Sequence, residues 1–291
     1  MRPKIPERPF NLRFPTTGGK YFWKDLYYCA GWRIQQQIWT GHCRLLDGRD
    51  ARRAWGSYEH CLSQFRHFRK KYDLKFRSDH LVVLLHGLGR HKNTMKKPAS
   101  FLTEKGFDCY QVNYPSTFQS VKDHADQLEE TLNLLEDIIT VSFVAHSLGG
   151  LVCRELLSRE SEWRDRIKIN KLVMIGTPNQ GAKIARYLDP LWLFRTISGP
   201  SGQDVQPGNA ARFALPTVPT LVIAGGRATK SGFNPFLQED NDGIVTVEET
   251  KVEGMTRFIR IPAIHTIIMD HPDTLKAISE FLQPSDDATV K

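Results

Sequence analysis

The sequence predicts an α/β protein with a predominantly parallel sheet of roughly six strands, preceded by a pair of N-terminal helices. From Leu81 onward, short apolar runs alternate with stretches of helical periodicity, which is typical of a parallel sheet flanked by helices. The chain has 291 residues, of which 40% are hydrophobic and 25% charged. That composition is typical of a globular protein that buries one sizeable core.

The predicted strands occupy six apolar runs, at residues 81–85, 108–112, 138–144, 171–175, 220–224 and 257–261. Short runs of this kind, separated by helical patterns, are typical of the strands of a parallel sheet. Helical spacing predicts helices near residues 93–105, 120–135, 148–158 and 273–282. We expect these elements to form one domain over residues 80–283, followed by a disordered tail over 284–291.

The N-terminal quarter differs from the rest in charge and in aromatic content. Residues 1–80 contain 17 Lys and Arg against 7 Asp and Glu, and they hold four of the six tryptophans. After a Pro-rich leader, residues 21–46 lack proline and carry apolar side chains at helical spacing, and a second apolar stripe runs from Trp55 to Phe65. These patterns predict a basic, aromatic helical hairpin within residues 1–79. Simple packing and contact with an anionic membrane remain open as its role, whereas no recognition motif supports nucleic-acid binding.

The sequence shows no recognisable targeting signal and no metal-binding motif. The first residues have no apolar core of the secretory type, and no run approaches the ~20 apolar residues that span a bilayer. The five cysteines are scattered, without Cys-x-x-Cys spacing, which argues against a disulfide framework and a zinc site. We therefore expect a cytoplasmic protein, with at most peripheral membrane contact, that uses no metal or other cofactor.

Ser147 lies between a predicted strand and a predicted helix, in the segment Ala145-His146-Ser147-Leu148-Gly149. A serine on such a sharp turn has a strained backbone and an exposed hydroxyl. Strand and helix approach closely at this turn, so small residues are needed two positions before and after the serine, as Ala145 and Gly149 provide. A serine hydroxyl becomes a nucleophile only with a base beside it.

The base and its acid are expected after the nucleophile, on loops that follow later strands. His265 follows the last predicted strand, and Asp242 lies in the loop after the preceding one. Histidine would accept the serine proton, and aspartate would hold the imidazole tautomer. His271 remains an alternative for the base, and Asp240 or Glu239 for the acid.

Backbone N–H groups near Ser147 can stabilise a developing oxyanion. The turn His86-Gly87-Leu88-Gly89 directly follows the first predicted strand of the sheet, and Leu88 can point its N–H at the reacting carbonyl. With the N–H of Leu148, this donor would complete an oxyanion hole. Residues 176–182 close the next strand and would line the site.

Together these segments resemble the α/β-hydrolase fold and, within it, the bacterial lipase and esterase group, over roughly residues 80–283. The Ala-His-Ser-x-Gly-Gly stretch from Ala145 is similar to the nucleophile turn of compact bacterial lipases. The stretch 241–245 resembles their acid loop, in which the Asp before Gly belongs to the triad. Residues 176–181 resemble their Gly-Thr-Pro-His-x-Gly segment, with Asn179 in place of histidine.

The resemblance and the triad predict hydrolysis of a carboxylic ester with an apolar acyl group through an acyl-enzyme on Ser147. The apolar segment 184–197 is the candidate lid or acyl-chain wall, with Leu191, Trp192 and Phe194 as substrate contacts. Together with the Gly/Pro-rich loop that follows from Gly199, it makes up a possible lid or cap over residues 184–218. A helix that simply covers the sheet is the alternative for this segment. Thioesterase or acyltransferase activity uses the same triad. A non-enzymatic binding protein acting through the basic hairpin is also open, but it would be indicated by a missing triad residue.

Overall fold

Two β-sheets form the scaffold of the protein in a computed structural model that describes residues 19–183, 199–206 and 208–283. The N-terminal sheet is antiparallel, in the order β1 (Trp23–Cys29), β2 (Trp32–Gln37), β3 (Cys43–Leu46) and β4 (Arg52–Gly56). The larger sheet contains β5 (His80–Leu85), β6 (Asp108–Gln111), β7 (Thr140–His146), β8 (Lys168–Ile175), β9 (Thr220–Gly225) and β10 (Arg257–Ile261). Its order is β10-β9-β8-β7-β5-β6, and every neighbouring pair is parallel.

The predicted parallel sheet of six strands is confirmed. Its helices are α2 (Lys96–Glu104), α3 (Val121–Asn133), α4 (Leu148–Leu157), the short α5 (Val247–Thr250) and α6 (Pro272–Leu282). Alternate residues of β5 enter two separate cores: Leu81 and Val83 pack with α3 and α4, whereas Val82 and Leu84 pack with α2 and α6. Burial on both faces explains why the strands are almost continuously apolar in sequence.

The predicted N-terminal helical hairpin is wrong in its first half. Residues 21–46 form β1, β2 and β3. Trp55, the first residue of the second stripe, lies on β4, and the rest of that stripe is helical, as α1 (Tyr58–Tyr72) after an N-cap at Ser57. A two-residue turn at Ala30 and Gly31, both at positive φ, joins β1 to β2. Such a turn matches the twist of a hairpin, but it is usually signalled by Asn-Gly or Asp-Gly. A register shift between Asp25 and Tyr27 also breaks the alternation that would have indicated a strand.

The N-terminal sheet has one apolar and one polar buried face. Its apolar face packs on α1, where Trp32 and Ile34 lie near Phe65. Its polar face is fixed to the β6 edge of the large sheet through Asp25. The Asp25 carboxylate accepts hydrogen bonds from Arg33, Gln35 and Tyr110, and from the Asn113 backbone, at 2.7–3.1 Å. The two sheets therefore share one buried polar network, and the N-terminal sheet covers the β6 edge of the parallel sheet.

Several predicted segments fall outside the described residues. These are the leader over residues 1–18, the stretch 184–198, which includes the whole apolar segment of the candidate lid, and the tail at 284–291. Leu191, Trp192 and Phe194 belong to the second of these segments, so their proposed substrate contacts stay predictions. Among the described helices, none combines the length and apolar character needed to cross a bilayer.

Candidate active site

Three loops at the carboxyl edge of the parallel sheet bring Ser147, Asp242 and His265 together. Ser147 directly follows β7, Asp242 lies beyond β9, and His265 lies beyond β10. His265 Nε2 is 3.0 Å from Ser147 Oγ, and His265 Nδ1 is 2.6 Å from Asp242 Oδ2. Because the imidazole bridges hydroxyl and carboxylate, the arrangement can pass the serine proton to Nε2 while Asp242 holds the proton on Nδ1.

The backbone at Ser147 has the strained geometry that its position between strand and helix predicts. Its φ is 53° and its ψ −121°, although it is not glycine, and its N–H donates to Ile175 O at 2.9 Å. Gly149 lies so close to β5 that an added Cβ would be 2.8 Å from Leu85 Cβ. A glycine is therefore required there to seat α4 against the strand and to keep the Ser147 turn tight.

Asp242 is buried and fully bonded. Its Oδ1 accepts from the N–H groups of Ile244 and Val245 at 3.0 and 2.8 Å, which leaves Oδ2 directed at His265. Its backbone carbonyl also accepts from the His265 N–H at 2.9 Å. These bonds fix the orientation of the carboxylate relative to the imidazole ring.

The two alternative acids are engaged elsewhere. Asp240 accepts hydrogen bonds from the backbone N–H groups of Arg227 and Ala228 at 2.7 and 2.9 Å, and Glu239 pairs with Lys183. His271, the alternative base, is the N-cap of α6 and accepts from the Asp273 N–H at 3.3 Å. Each of these side chains therefore has a structural partner away from Ser147.

A second histidine, His146, is hydrogen-bonded to the loop that carries His265. Its Nε2 donates to the backbone carbonyl of His265 at 2.9 Å, and the two rings lie 4.8 Å apart. Burial, with the nearby His265 adding to it, lowers the pKa of His146 well below its usual value. His146 is therefore neutral at physiological pH and holds the loop by a hydrogen bond.

The N–H groups of Leu88 and Leu148 have no hydrogen-bond partner among the described residues. Leu148 is the first residue of α4, so its N–H lies at the positive end of that helix. Leu88 follows Gly87, where an added Cβ would be 3.0 Å from Ser147 Cβ. Two free donors beside the serine hydroxyl are what an oxyanion hole requires.

His86 stabilises the turn that carries Leu88. Its Nδ1 donates to Gly87 O at 2.9 Å, its ring stacks on Tyr114 at 4.0 Å, and the Tyr114 hydroxyl donates to the His86 carbonyl. Burial lowers the pKa of His86 to about 3. A neutral ring, fixed on both sides, holds the turn without exchanging protons near neutral pH.

Sequence reasoning missed Asn113, which connects the turn after β5 to the N-terminal sheet. Its Oδ1 accepts from the Lys92 N–H at 3.1 Å, and its Nδ2 donates to the carbonyls of Lys20 and Trp23 at 3.1 and 2.5 Å. The Lys92 ammonium in turn pairs with Asp50 at 2.7 Å. The segment that follows Leu88 is therefore held by the antiparallel sheet, and no sequence motif marks this link.

Asn179, which departs from the lipase pattern, binds Arg154. The Asn179 Oδ1 and backbone carbonyl accept from Arg154 Nη1 at 3.2 and 2.9 Å, and its Nδ2 donates to Thr250 O at 2.7 Å. Arg154 also donates to the carbonyls of Phe213 and Ala214. The substitution thus serves a buried hydrogen-bond network around a guanidinium.

No cluster of His, Cys, Asp or Glu in the described ranges has the arrangement of a metal site. This includes the acidic stretch 238–242, whose members bind backbone and side-chain donors of the protein itself.

The strand order, the crossing helices and the serine turn together define the α/β-hydrolase fold, and comparison with solved structures agrees. The chain is similar to the lipase BlEst2 of Bacillus licheniformis in its mature form, at 18% identity and a TM-score of 0.58, over 70% of this chain and 91% of that one. It is also similar to the phospholipase PlaB of Legionella pneumophila, at 16% identity and a TM-score of 0.58, over 72% of this chain and 59% of that one. A metagenomic carboxyl esterase matches at 16% identity and a TM-score of 0.53, over 70% and 75% of the two chains.

Sequence comparisons add less. A family profile described as a domain of unknown function, DUF7379, matches residues 113–222, well under half of the chain. That segment contains Ser147 but ends before Asp242 and His265. No curated protein matches the sequence significantly. At these identities the likeness to solved structures establishes the fold, and the activity has to be argued from the site.

Proposed function

We propose that this protein hydrolyses carboxylic esters through an acyl-enzyme on Ser147. The observation that carries the proposal is the continuous contact from Ser147 Oγ through His265 to Asp242, with separations of 3.0 and 2.6 Å. A serine on a strained turn, bonded to a buried histidine–carboxylate pair, has no evident structural use. The same arrangement activates the nucleophile in serine hydrolases of unrelated folds.

In the first half of the proposed reaction, Ser147 Oγ attacks the ester carbonyl carbon while His265 Nε2 accepts the hydroxyl proton. The carbonyl oxygen becomes an oxyanion and accepts hydrogen bonds from the N–H groups of Leu88 and Leu148. Collapse of this tetrahedral intermediate breaks the bond to the alkoxide, which leaves as an alcohol after taking the proton from His265. In the second half, water gives one proton to His265 Nε2 as its oxygen attacks the acyl carbon. The bond from that carbon to Ser147 Oγ then breaks, Oγ takes the proton back from His265, and the acid is released.

Asp242 has a positioning and electrostatic role in this scheme. Its carboxylate accepts the Nδ1–H of His265, so the neutral ring presents a lone pair at Nε2 to the serine. The imidazolium formed during attack is stabilised by the same carboxylate. Its other oxygen accepts two backbone N–H groups, which hold the carboxylate in this orientation throughout the reaction.

An ester with an apolar acyl group is the proposed substrate class. The structural neighbours, which include a lipase, a phospholipase and a carboxyl esterase, support an ester. The apolar acyl group rests on the sequence of residues 184–197, where Leu191, Trp192 and Phe194 keep their predicted contact role. The triad does not select the leaving group, so thioesters and alcohol acceptors belong in the substrate tests. We also propose that the protein acts in the reducing environment of the cytoplasm.

Labelling with a fluorophosphonate probe tests the nucleophile. We expect covalent labelling of the wild type and none of Ser147→Ala. Ser142→Ala is a matched control, because Ser142 on the same strand also contacts a histidine, His80, at 2.9 Å but lies at the far end of β7. Labelling that survives Ser147→Ala, or that disappears in Ser142→Ala while the protein stays folded, would contradict the mechanism.

Turnover of esters of increasing acyl length tests the acid and the substrate class together. Asp242→Asn should lower kcat about 10⁴-fold, the loss known for the equivalent substitution in a serine protease. Asp240→Asn, two residues away and bonded to other groups, should retain most of the activity. A kcat of Asp242→Asn equal to that of the wild type would show that Asp242 is not the acid of the mechanism. If the protein hydrolysed thioesters and no ester, the proposed substrate class would be a thioester.

A further inference from the structure

Four aromatic side chains form a surface cluster that the proposed chemistry does not use. Phe22 lies with its ring centroid 4.2 Å from that of Trp39 and 4.8 Å from that of Phe118. Trp39, Phe118 and the neighbouring Tyr21 are 62%, 42% and 43% exposed. We call Tyr21, Phe22, Trp39 and Phe118 the aromatic surface. So much contiguous exposed ring area marks a surface that contacts another apolar body.

The aromatic surface lies at the carboxyl edge of the parallel sheet, where Ser147 is found. Tyr21 contacts the ring of His91 at 5.4 Å, and His91 follows the turn that carries Leu88. Phe118 lies in the loop after β6, between that strand and α3. The aromatic surface therefore adjoins two of the loops that surround the serine.

Exposed isoleucines continue this apolar character on the other side of the site. Ile264 and Ile267 flank His265 and are 40% and 54% exposed, and Ile244 lies two residues after Asp242 and is 37% exposed. The loops on both sides of Ser147 therefore carry large apolar side chains in contact with water.

The charge on the Tyr21 and His91 side of the aromatic surface is positive. The three acidic residues within 19–56 are each ion-paired: Asp25 with Arg33, Asp47 with Arg53, and Asp50 with Lys92. Lys20 and Arg90 have no carboxylate partner in the described part of the chain. Both lie close to His91, whose pKa is lowered by burial and then by the charges of Lys20, Lys92 and Arg90. Neither cation is held in a direct ion pair among the described residues, so both can approach an anionic partner.

We propose that the aromatic surface docks the protein on an anionic lipid–water interface and thereby brings the Ser147 edge to its substrate. Trp and Tyr have an apolar body and a polar end, which suits the boundary between headgroups and acyl chains, and Phe adds purely apolar contact. Lys20 and Arg90 then face the negative headgroups. The docking itself is independent of turnover, whereas its use in supplying substrate rests on the proposed ester hydrolysis.

Trp55 provides a matched control for Trp39. It is 69% exposed and belongs to the same antiparallel sheet, but it lies on β4, the strand farthest from β1 in that sheet. If any exposed tryptophan promoted membrane binding by nonspecific apolar contact, replacing either residue would weaken binding equally. The proposal predicts that only Trp39 matters.

Vesicle partitioning of the full chain, made inert by Ser147→Ala, tests the docking. We expect co-sedimentation with vesicles of phosphatidylcholine and phosphatidylglycerol, and much weaker binding to phosphatidylcholine alone. Adding Trp39→Ala should weaken partitioning about tenfold, as removal of a large apolar contact predicts. Trp55→Ala should leave it unchanged. Both variants are first checked for wild-type far-ultraviolet circular dichroism and thermal unfolding.

The cations are tested by Lys20→Gln and Arg90→Gln. Each should weaken binding to the anionic vesicles about fivefold, and the effect should shrink in high salt. Equal loss in Trp39→Ala and Trp55→Ala, or no binding of the parent protein to anionic vesicles at low salt, overturns the proposal. So does a dimer in analytical ultracentrifugation that Trp39→Ala dissociates, because the aromatic surface would then bind a second copy of the chain.

Activity measurements separate the two proposals. With intact Ser147, Trp39→Ala should lower the ratio of activity on vesicle-embedded long-chain ester to activity on a short soluble ester about tenfold. An unchanged ratio would show that docking does not supply substrate. If the wild type hydrolyses no ester while the Ser147→Ala protein still binds anionic vesicles, the catalytic proposal fails and the docking surface stands.

Discussion

Replacing Gly176 by alanine should disturb the candidate triad although none of the three triad residues is itself substituted. Gly176 follows β8 with a φ of 57°, and a Cβ added there would lie 3.2 Å from His265 Nδ1 and 3.3 Å from Asp242 Oδ2. The left-handed backbone costs a non-glycine residue about 1–2 kcal/mol. The two contacts are also tighter than ordinary van der Waals distances, so the His265–Asp242 pair has to yield by a few tenths of an ångström.

The effect on catalysis follows from the size of that shift. A misplacement of 1 Å costs about 10²-fold in rate, so a displacement of ~0.3–0.4 Å should lower kcat/KM roughly fivefold. Gly106→Ala is the matched control: Gly106 also has a positive φ, of 96°, but an added Cβ would meet no atom within 4 Å. Both variants should lose similar stability in thermal unfolding, and only Gly176→Ala should lose activity on a soluble ester. Equal kcat/KM in the two variants would refute the reasoning.

Three further expectations concern stability. Arg33→Met leaves the Asp25 carboxylate buried without its cation and should lower the free energy of unfolding by about 3–5 kcal/mol in urea titrations; a change below 1 kcal/mol would count against the pair. Burial lowers the pKa of His124 to about 3, so the unfolded chain binds a proton there that the folded protein does not. Between pH 6.5 and 3 this histidine should remove about 1.4 kcal/mol of stability per pH unit as the pH falls, and His124→Gln should flatten the measured slope by that amount. Arg154→Met should speed amide hydrogen exchange around residues 213–214, whose carbonyls it binds, and unchanged exchange would show that other contacts hold them.

The parallel sheet and the candidate triad were predictable because their sequence signals are local and direct. The strand Thr140–His146, covered on both faces, is rich in apolar residues, and Ser147 lies between this strand and the following helix. Asp242 and His265 follow from the order of strands along the chain. What sequence could not choose was the acid among three neighbours, because that depends on which carboxylate the loop points towards the ring.

The N-terminal sheet was not predictable for the opposite reason. Its tight turn uses Ala30 at positive φ, and its irregularity near Asp25 shifts the alternation, so apolar residues fall by coincidence at helical spacing. Gln35 is buried as well, although polar residues there suggest a solvated face. Gln35 donates to the buried Asp25 carboxylate, which is held in turn by the distant Tyr110 and Asn113, and this tertiary network explains the burial.

The link between Asp25 and Asn113 also determines how the chain can be divided. A fragment that begins near residue 80, where the sequence suggests a boundary, would expose the Tyr110 ring and strip the Gln111 carbonyl of its bond from Arg33. It would also free Lys92 from Asp50, next to the turn of Leu88. We therefore expect the two sheets to melt in one calorimetric transition, and a shortened hydrolase core to be recovered as aggregate. The antiparallel sheet is thus a part of the folding unit, and any expression strategy has to retain it.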